Sequence, residues 1–103
     1  MSNPPEFYLQ AKSENPEVFQ HYEAMSNAAK SAGPLDGKNV ALAKLAMSIG
    51  AGLEGATHSA VRKARSAGCS AEEMQHVCLL AISTLGFPAA MRARAWVLDV
   101  LAS

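Results

Sequence analysis

The hexapeptide Gly50-Ala51-Gly52-Leu53-Glu54-Gly55 contains Gly-x-Gly-x-x-Gly, the spacing with which a nucleotide-binding sheet cradles a pyrophosphate. That chemistry needs a strand before the glycines to deliver the tight turn, and a helix after them to present its N-terminus to the phosphates. Residues 40–49 carry Lys44, several alanines and few β-branched residues. They read as helix, and the chain offers no other strands from which a sheet could be built. The glycines are therefore read as a break that divides one long helical stretch into two.

Working outward, a helix begins near the N-cap Asp36 and runs to about Ile49, with Leu42, Leu45, Ala46 and Ile49 at helical spacing. A second runs over about residues 53–67 and stops at Gly68. Ser70 and Glu73 form a capping box that starts a third. Its inner face is Met74, Val77, Cys78, Ala81, Ile82 and Leu85. Leu79 and Leu80 make its second half apolar nearly all round, so burial on two sides is expected, one of them at a subunit interface. Gly86 ends it and Pro88 opens a last helix that buries Ala89, Ala93, Trp96, Val97 and Val100. On the N-terminal side, Pro16 opens a helix striped by Val18, Phe19, Tyr22 and Met25 and closed by Gly33-Pro34. The first dozen residues read as an arm or a short helix. The fold class is all-α with five to six helices. An N-terminal arm and helix (1–34) precede a helical core (35–103) within one domain.

With 103 residues, half of them apolar but only 6% aromatic, the chain draws much of its core from alanine. Alanine favours helices and close packing but buries little area, so a lone copy is marginal and self-association is expected. Nine basic residues balance nine acidic ones and no basic stripe exists, which argues against a nucleic-acid partner. No apolar run reaches the length of a membrane span, and no basic-then-apolar leader opens the chain. Cys69 and Cys78 are too few for a disulfide framework and form no Cys-x-x-Cys pair. A cytoplasmic location fits these features.

The helix after the glycines has two informative faces. Leu53, Ala56, Ala60, Ala64 and Ala67 share one, which either packs closely against a neighbouring helix or lines a pocket for a small apolar ligand. Glu54, His58, Arg62 and Arg65 share another. Glu54 and His58 are four residues apart and can touch. They form either a solvated charged face or, if that face lines a cleft, a general base (His58) oriented by a carboxylate (Glu54). His21, His58 and His76 show no metal-ligand spacing, and no metal or cofactor is expected. Cys78 reads as a small core hydrophobe, Cys69 as partly exposed, and Trp96 as core.

Leu35-Asp36-Gly37-Lys38, His58…Ala64…Gly68, Ser70-Ala71-Glu72-Glu73-Met74 and Leu85-Gly86-Phe87-Pro88-Ala89 together resemble the carboxymuconolactone decarboxylase and alkylhydroperoxidase D-like family over residues 35–100. The resemblance implies an orthogonal helical bundle assembled as a homotrimer or hexamer, and an activity of peroxiredoxin or decarboxylase type. Peroxidase members place Cys-x-x-Cys and a following histidine on this helix, with a proton-relay glutamate upstream. Aligned through Gly68, those positions are Leu53, Ala56, Ala60 and, near the relay glutamate, Ala41. The decarboxylase members' histidine is missing as well. His58 lies two residues early, about 200° around the helix from the family's histidine position. A non-thiol or inactive homologue is expected, with Glu54 and His58 as the candidate acid–base pair.

Overall fold

The computed structural model describes residues 3–103. Among them are six helices and no strand: α1 (Glu6–Glu14), α2 (Pro16–Ser31), α3 (Gly37–Gly50), α4 (Glu54–Ser66), α5 (Ala71–Leu85) and α6 (Phe87–Leu101). The all-α expectation holds, and the N-terminal stretch is a helix rather than an arm. By their contacts the described residues divide into two units, Asn3–Leu35 and Asp36–Ser103.

In the first unit α1 and α2 pair through the Lys12–Glu23 ion pair (2.8 Å) and an edge-to-face contact between Tyr8 and Phe19, with ring centroids 5.6 Å apart. Neither helix contains a buried residue, and neither N-cap uses its side chain.

The second unit is built around its caps. Asp36 accepts a hydrogen bond from the Asn39 amide (2.9 Å) and starts α3. Ser70 Oγ accepts from the Glu73 amide (3.0 Å), while Glu73 accepts from the Ser70 amide (2.8 Å), completing the box read from sequence. The second carboxylate oxygen of Glu73 meets Lys38 Nζ at 3.2 Å, which ties the start of α5 to the start of α3.

The glycine joint closes α3 in the same way that Gly68 closes α4. The Gly52 amide donates to Ile49 and the Leu53 amide to Ser48. The Gly68 amide donates to Arg65 and the Cys69 amide to Ala64. Each is a Schellman closure, with the glycine in the left-handed region, Gly52 at φ +69° and Gly68 at φ +94°. Of the three glycines in the fingerprint spacing only Gly52 needs that freedom. A Cβ at Gly50 or Gly55 would meet nothing within 4 Å.

The core gathers Leu45 and Ile49 from α3, Val61 and Ala64 from α4, Met74 and Cys78 from α5, and Ala90, Ala93, Val97 and Val100 from α6. The most extensive helix contacts join α5 to α6 and α3 to α4, followed by α4 to α6. Two expectations change. Ile82 and Leu85, placed on the inner face of α5 by periodicity, are exposed, as are Leu79 and Leu80 on its other side at 58% and 57%. Cys69, expected to be partly exposed, is buried. It follows the left-handed glycine of a Schellman closure, a position that commonly packs back against the helix it ends.

Candidate functional site

α4 carries the residues singled out from sequence, and its surroundings sort them. Ala60 and Ala64 are buried in the core, so this part of the alanine face is a packing surface against α3 and α6. Leu53 and Ala56, the positions that the resemblance equates with the two peroxidase cysteines, are exposed. Ala60, equated with the missing histidine, is buried. Thr57 is fully buried, and its hydroxyl donates to the Leu53 carbonyl at 2.8 Å, so it is satisfied within the first turn.

His58 does not pair with Glu54 as the four-residue spacing suggested. Its Nε2 lies 3.0 Å from Asp99 Oδ2, on α6 and 41 residues away. The packing of α6 on α4 brings this carboxylate onto the imidazole, and a contact supplied by the fold displaces the local one. The His58 side chain is 25% exposed and Asp99 57%, so the pair sits at the rim of the bundle with one edge in the core and one in water. Glu54 completes the cluster. One ligand atom from each of Glu54, His58 and Asp99 lies within 4.8 Å of the others. The cluster draws on two helices, which spacing along the chain cannot express.

Asp99 was missed because it is remote in sequence. A signal was present: it is the only acidic residue in α6, set between Val97 and Val100 of the buried stripe. On the helix that carries Asp99, the Arg92 guanidinium lies over the Trp96 ring, 5.0 Å from its centroid, and its Nη2 is 3.1 Å from where a Cβ on Gly52 would stand. Trp96 is thus half-buried under a cation rather than enclosed in the core. Of the other histidines, His21 is exposed beside Glu17 at 3.7 Å, and His76 is exposed.

Both cysteines are free and buried. Burial pushes the Cys69 thiol above its ordinary pKa, with help from the nearby Glu73 carboxylate and partial opposition from Lys38. Burial also raises Cys78, opposed in part by Arg94. Neither is poised as a thiolate at neutral pH.

The architecture and this rim cluster define an all-helical protein with a histidine–carboxylate centre and no vicinal thiols. The model of the carboxymuconolactone decarboxylase family matches residues 16–99, and the chain belongs to that family. The match extends the likeness seen in the sequence back to the first residue of α2. No curated protein and no solved structure gives a significant match. Among the described residues no helix is long and apolar enough to cross a membrane.

Proposed function

We propose that this chain is a non-thiol member of its family, with acid–base chemistry of the decarboxylase type centred on His58. The observation that carries the reading is the 3.0 Å contact between His58 Nε2 and Asp99. With the proton on Nε2, donated to the carboxylate, Nδ1 holds the lone pair and is the base. Asp99 fixes the ring and stabilises the imidazolium formed when Nδ1 takes a proton. Glu54 sets the local charge. In a decarboxylation the C–C bond to the leaving carboxylate breaks, its electron pair is delocalised into the substrate, and the imidazolium returns a proton to that carbon.

Two further features support the non-thiol part. Leu53 and Ala56 stand where the family's peroxidases place their cysteines, and the two thiols present are buried and held neutral. Self-association into a homotrimer or hexamer accompanies this reading, supported by the large apolar side chains that α5 and the start of α6 leave open at Leu79, Leu80, Leu85 and Phe87. A reducing cytoplasm suits two unpaired thiols.

The test measures turnover of carboxymuconolactone, the compound for which the family is named, in wild type, His58→Ala and Asp99→Asn, with oligomeric state followed by light scattering. The expected result is turnover lost in His58→Ala and reduced at least tenfold in Asp99→Asn, in assemblies of unchanged size. Turnover indifferent to His58→Ala sinks the acid–base reading. Organic-hydroperoxide reduction abolished by Cys69→Ser or Cys78→Ser sinks the non-thiol one.

A further inference from the structure

We infer that Glu54, His58 and Asp99 form a site for one divalent first-row transition-metal ion of the zinc or manganese kind. The inference rests on the same side chains as the acid–base reading but does not require their catalytic role.

The geometry comes first. A zinc-like ion bonded at about 2.0–2.2 Å holds its ligand atoms roughly 3–4 Å apart. His58 and Asp99 already stand at 3.0 Å, and all three ligand atoms fall within 4.8 Å of one another. Closing the remaining distance asks only for a rotation of the Glu54 side chain. That residue is exposed, at the first position of α4, and its side chain makes no hydrogen bond or ion pair with the described residues. Glu54 and His58 sit one turn apart on the same helix, the spacing at which two helical side chains reach a common ion. Asp99 approaches from α6, so a bound ion would cross-link the two helices.

The charge of the same side chains points the same way. Two carboxylates converge here, and neither Glu54 nor Asp99 is paired with a lysine or arginine among the described residues. A neutral imidazole and two carboxylates carry a net charge of −2, which a divalent ion cancels.

The donor set selects the class of ion. Imidazole nitrogen disfavours magnesium and calcium, which take all-oxygen shells, and the absence of thiolate distinguishes the site from closed structural zinc centres. Three protein ligands at a solvent-exposed rim leave positions for water. The ion and a proton compete for the imidazole, so metal loading and the base role of His58 exclude each other.

Isothermal titration of the intact protein with zinc chloride, and separately with manganese chloride, tests the inference. Wild type, Glu54→Gln, His58→Ala and Asp99→Asn are compared, with His76→Ala as a surface-histidine control. The expected result is one ion per chain, weakened at least tenfold by each of the three substitutions and unchanged in the control. A rise in melting temperature with zinc in wild type but not in Asp99→Asn gives the same answer without depending on the fold of His58→Ala. Cobalt binding with a thiolate charge-transfer band, binding indifferent to His58→Ala and Asp99→Asn, or no binding at millimolar metal overturns it. The two readings separate cleanly. Metal binding that depends on all three residues, with turnover indifferent to His58→Ala, removes only the acid–base reading. Turnover that needs His58, with no metal bound, removes only this inference.

Discussion

The two units of this chain are both helical and reach that state by different means. Each helix in Asp36–Ser103 buries at least two residues, and four helix ends are fixed by side-chain caps or left-handed glycines with named hydrogen bonds. The helices of Asn3–Leu35 bury none, and the side-chain links between them are an exposed ion pair and an aromatic edge. α1, with nine residues, is shorter than the roughly 12–15 at which an isolated helix becomes marginally stable in water. Identical secondary structure thus covers two energetic regimes, one set by burial and one by local propensity and pairing. Family membership does not follow that division, because the family match begins at α2.

The widest gap between the units is expected from truncating buried side chains. Leu45→Ala removes a fully buried leucine and should cost about 2–5 kcal/mol, whereas Val18→Ala, on an exposed face of α2, should cost no more than about 0.5 kcal/mol. Urea unfolding of both variants checks the pair, and equal losses would break the comparison.

Next comes the joint. Gly52→Ala forces a Cβ into a left-handed conformation, at about 1–2 kcal/mol, with the movable Arg92 guanidinium adding a smaller clash. Gly50→Ala and Gly55→Ala should leave the melting temperature unchanged or raise it, since a Cβ at either position stands in open space. Equal effects at all three glycines would mean that the spacing, and not the Schellman closure, is what matters.

Ser70→Ala should cost about 1 kcal/mol by removing the cap of α5. Its partner adds a pH dependence. The Ser70 amide and Lys38 hold the Glu73 carboxyl below its ordinary pKa. The folded protein therefore releases that proton more readily than the unfolded chain. The stabilisation is present above the unfolded pKa and is lost as pH falls through the lower folded value. Glu73→Gln should flatten the acid side of a stability–pH profile. The thiols act in the opposite direction, because their pKa values are raised in the folded state. Their contribution is complete below the ordinary thiol pKa and disappears as pH rises through the folded values, so native thiol labelling with a disulfide reagent should be much slower than in urea.

The smallest expected effects lie in the first unit. Phe19→Ala loses the aromatic edge, about 0.5–1.5 kcal/mol for that unit alone, and Lys12→Ala less still. In native-state hydrogen exchange, amides of α1 and α2 should exchange before those of α5, and exchange in the reverse order would contradict the division drawn here.

What could be read in the chain beforehand was whatever is encoded locally. Asp36, Pro16, Ser70 with Glu73, Gly68 and the Gly86–Pro88 pair mark helix ends within a residue or two, because each acts on backbone groups within one turn. The apolar stripe of α4 was legible only in part: Ala60 and Ala64 are buried, but Leu53 and Ala56 are exposed and Thr57 and Val61 take their place in the core. The residues that escaped depend on how helices meet. Asp99 belongs with His58 only because α6 lies on α4. Periodicity alone assigned Leu85 an inner face, and the residue is 42% exposed. Cys69 is buried by a closure whose return contact is set by Ala64 behind it rather than by any pattern ahead.

One feature of the joint also makes the molecule observable. Trp96 is the chain's single tryptophan, and it lies beneath the Arg92 guanidinium, which in turn faces Gly52. A cation over an indole shifts and quenches its emission, so the protein carries its single indole fluorophore on α6, facing the joint between α3 and α4. Its spectrum should change when Gly52 is replaced, and should stay native when an exposed side chain of α1 is replaced. Events at Asp99, one helical turn further along α6, thus come with an optical readout that needs no added label.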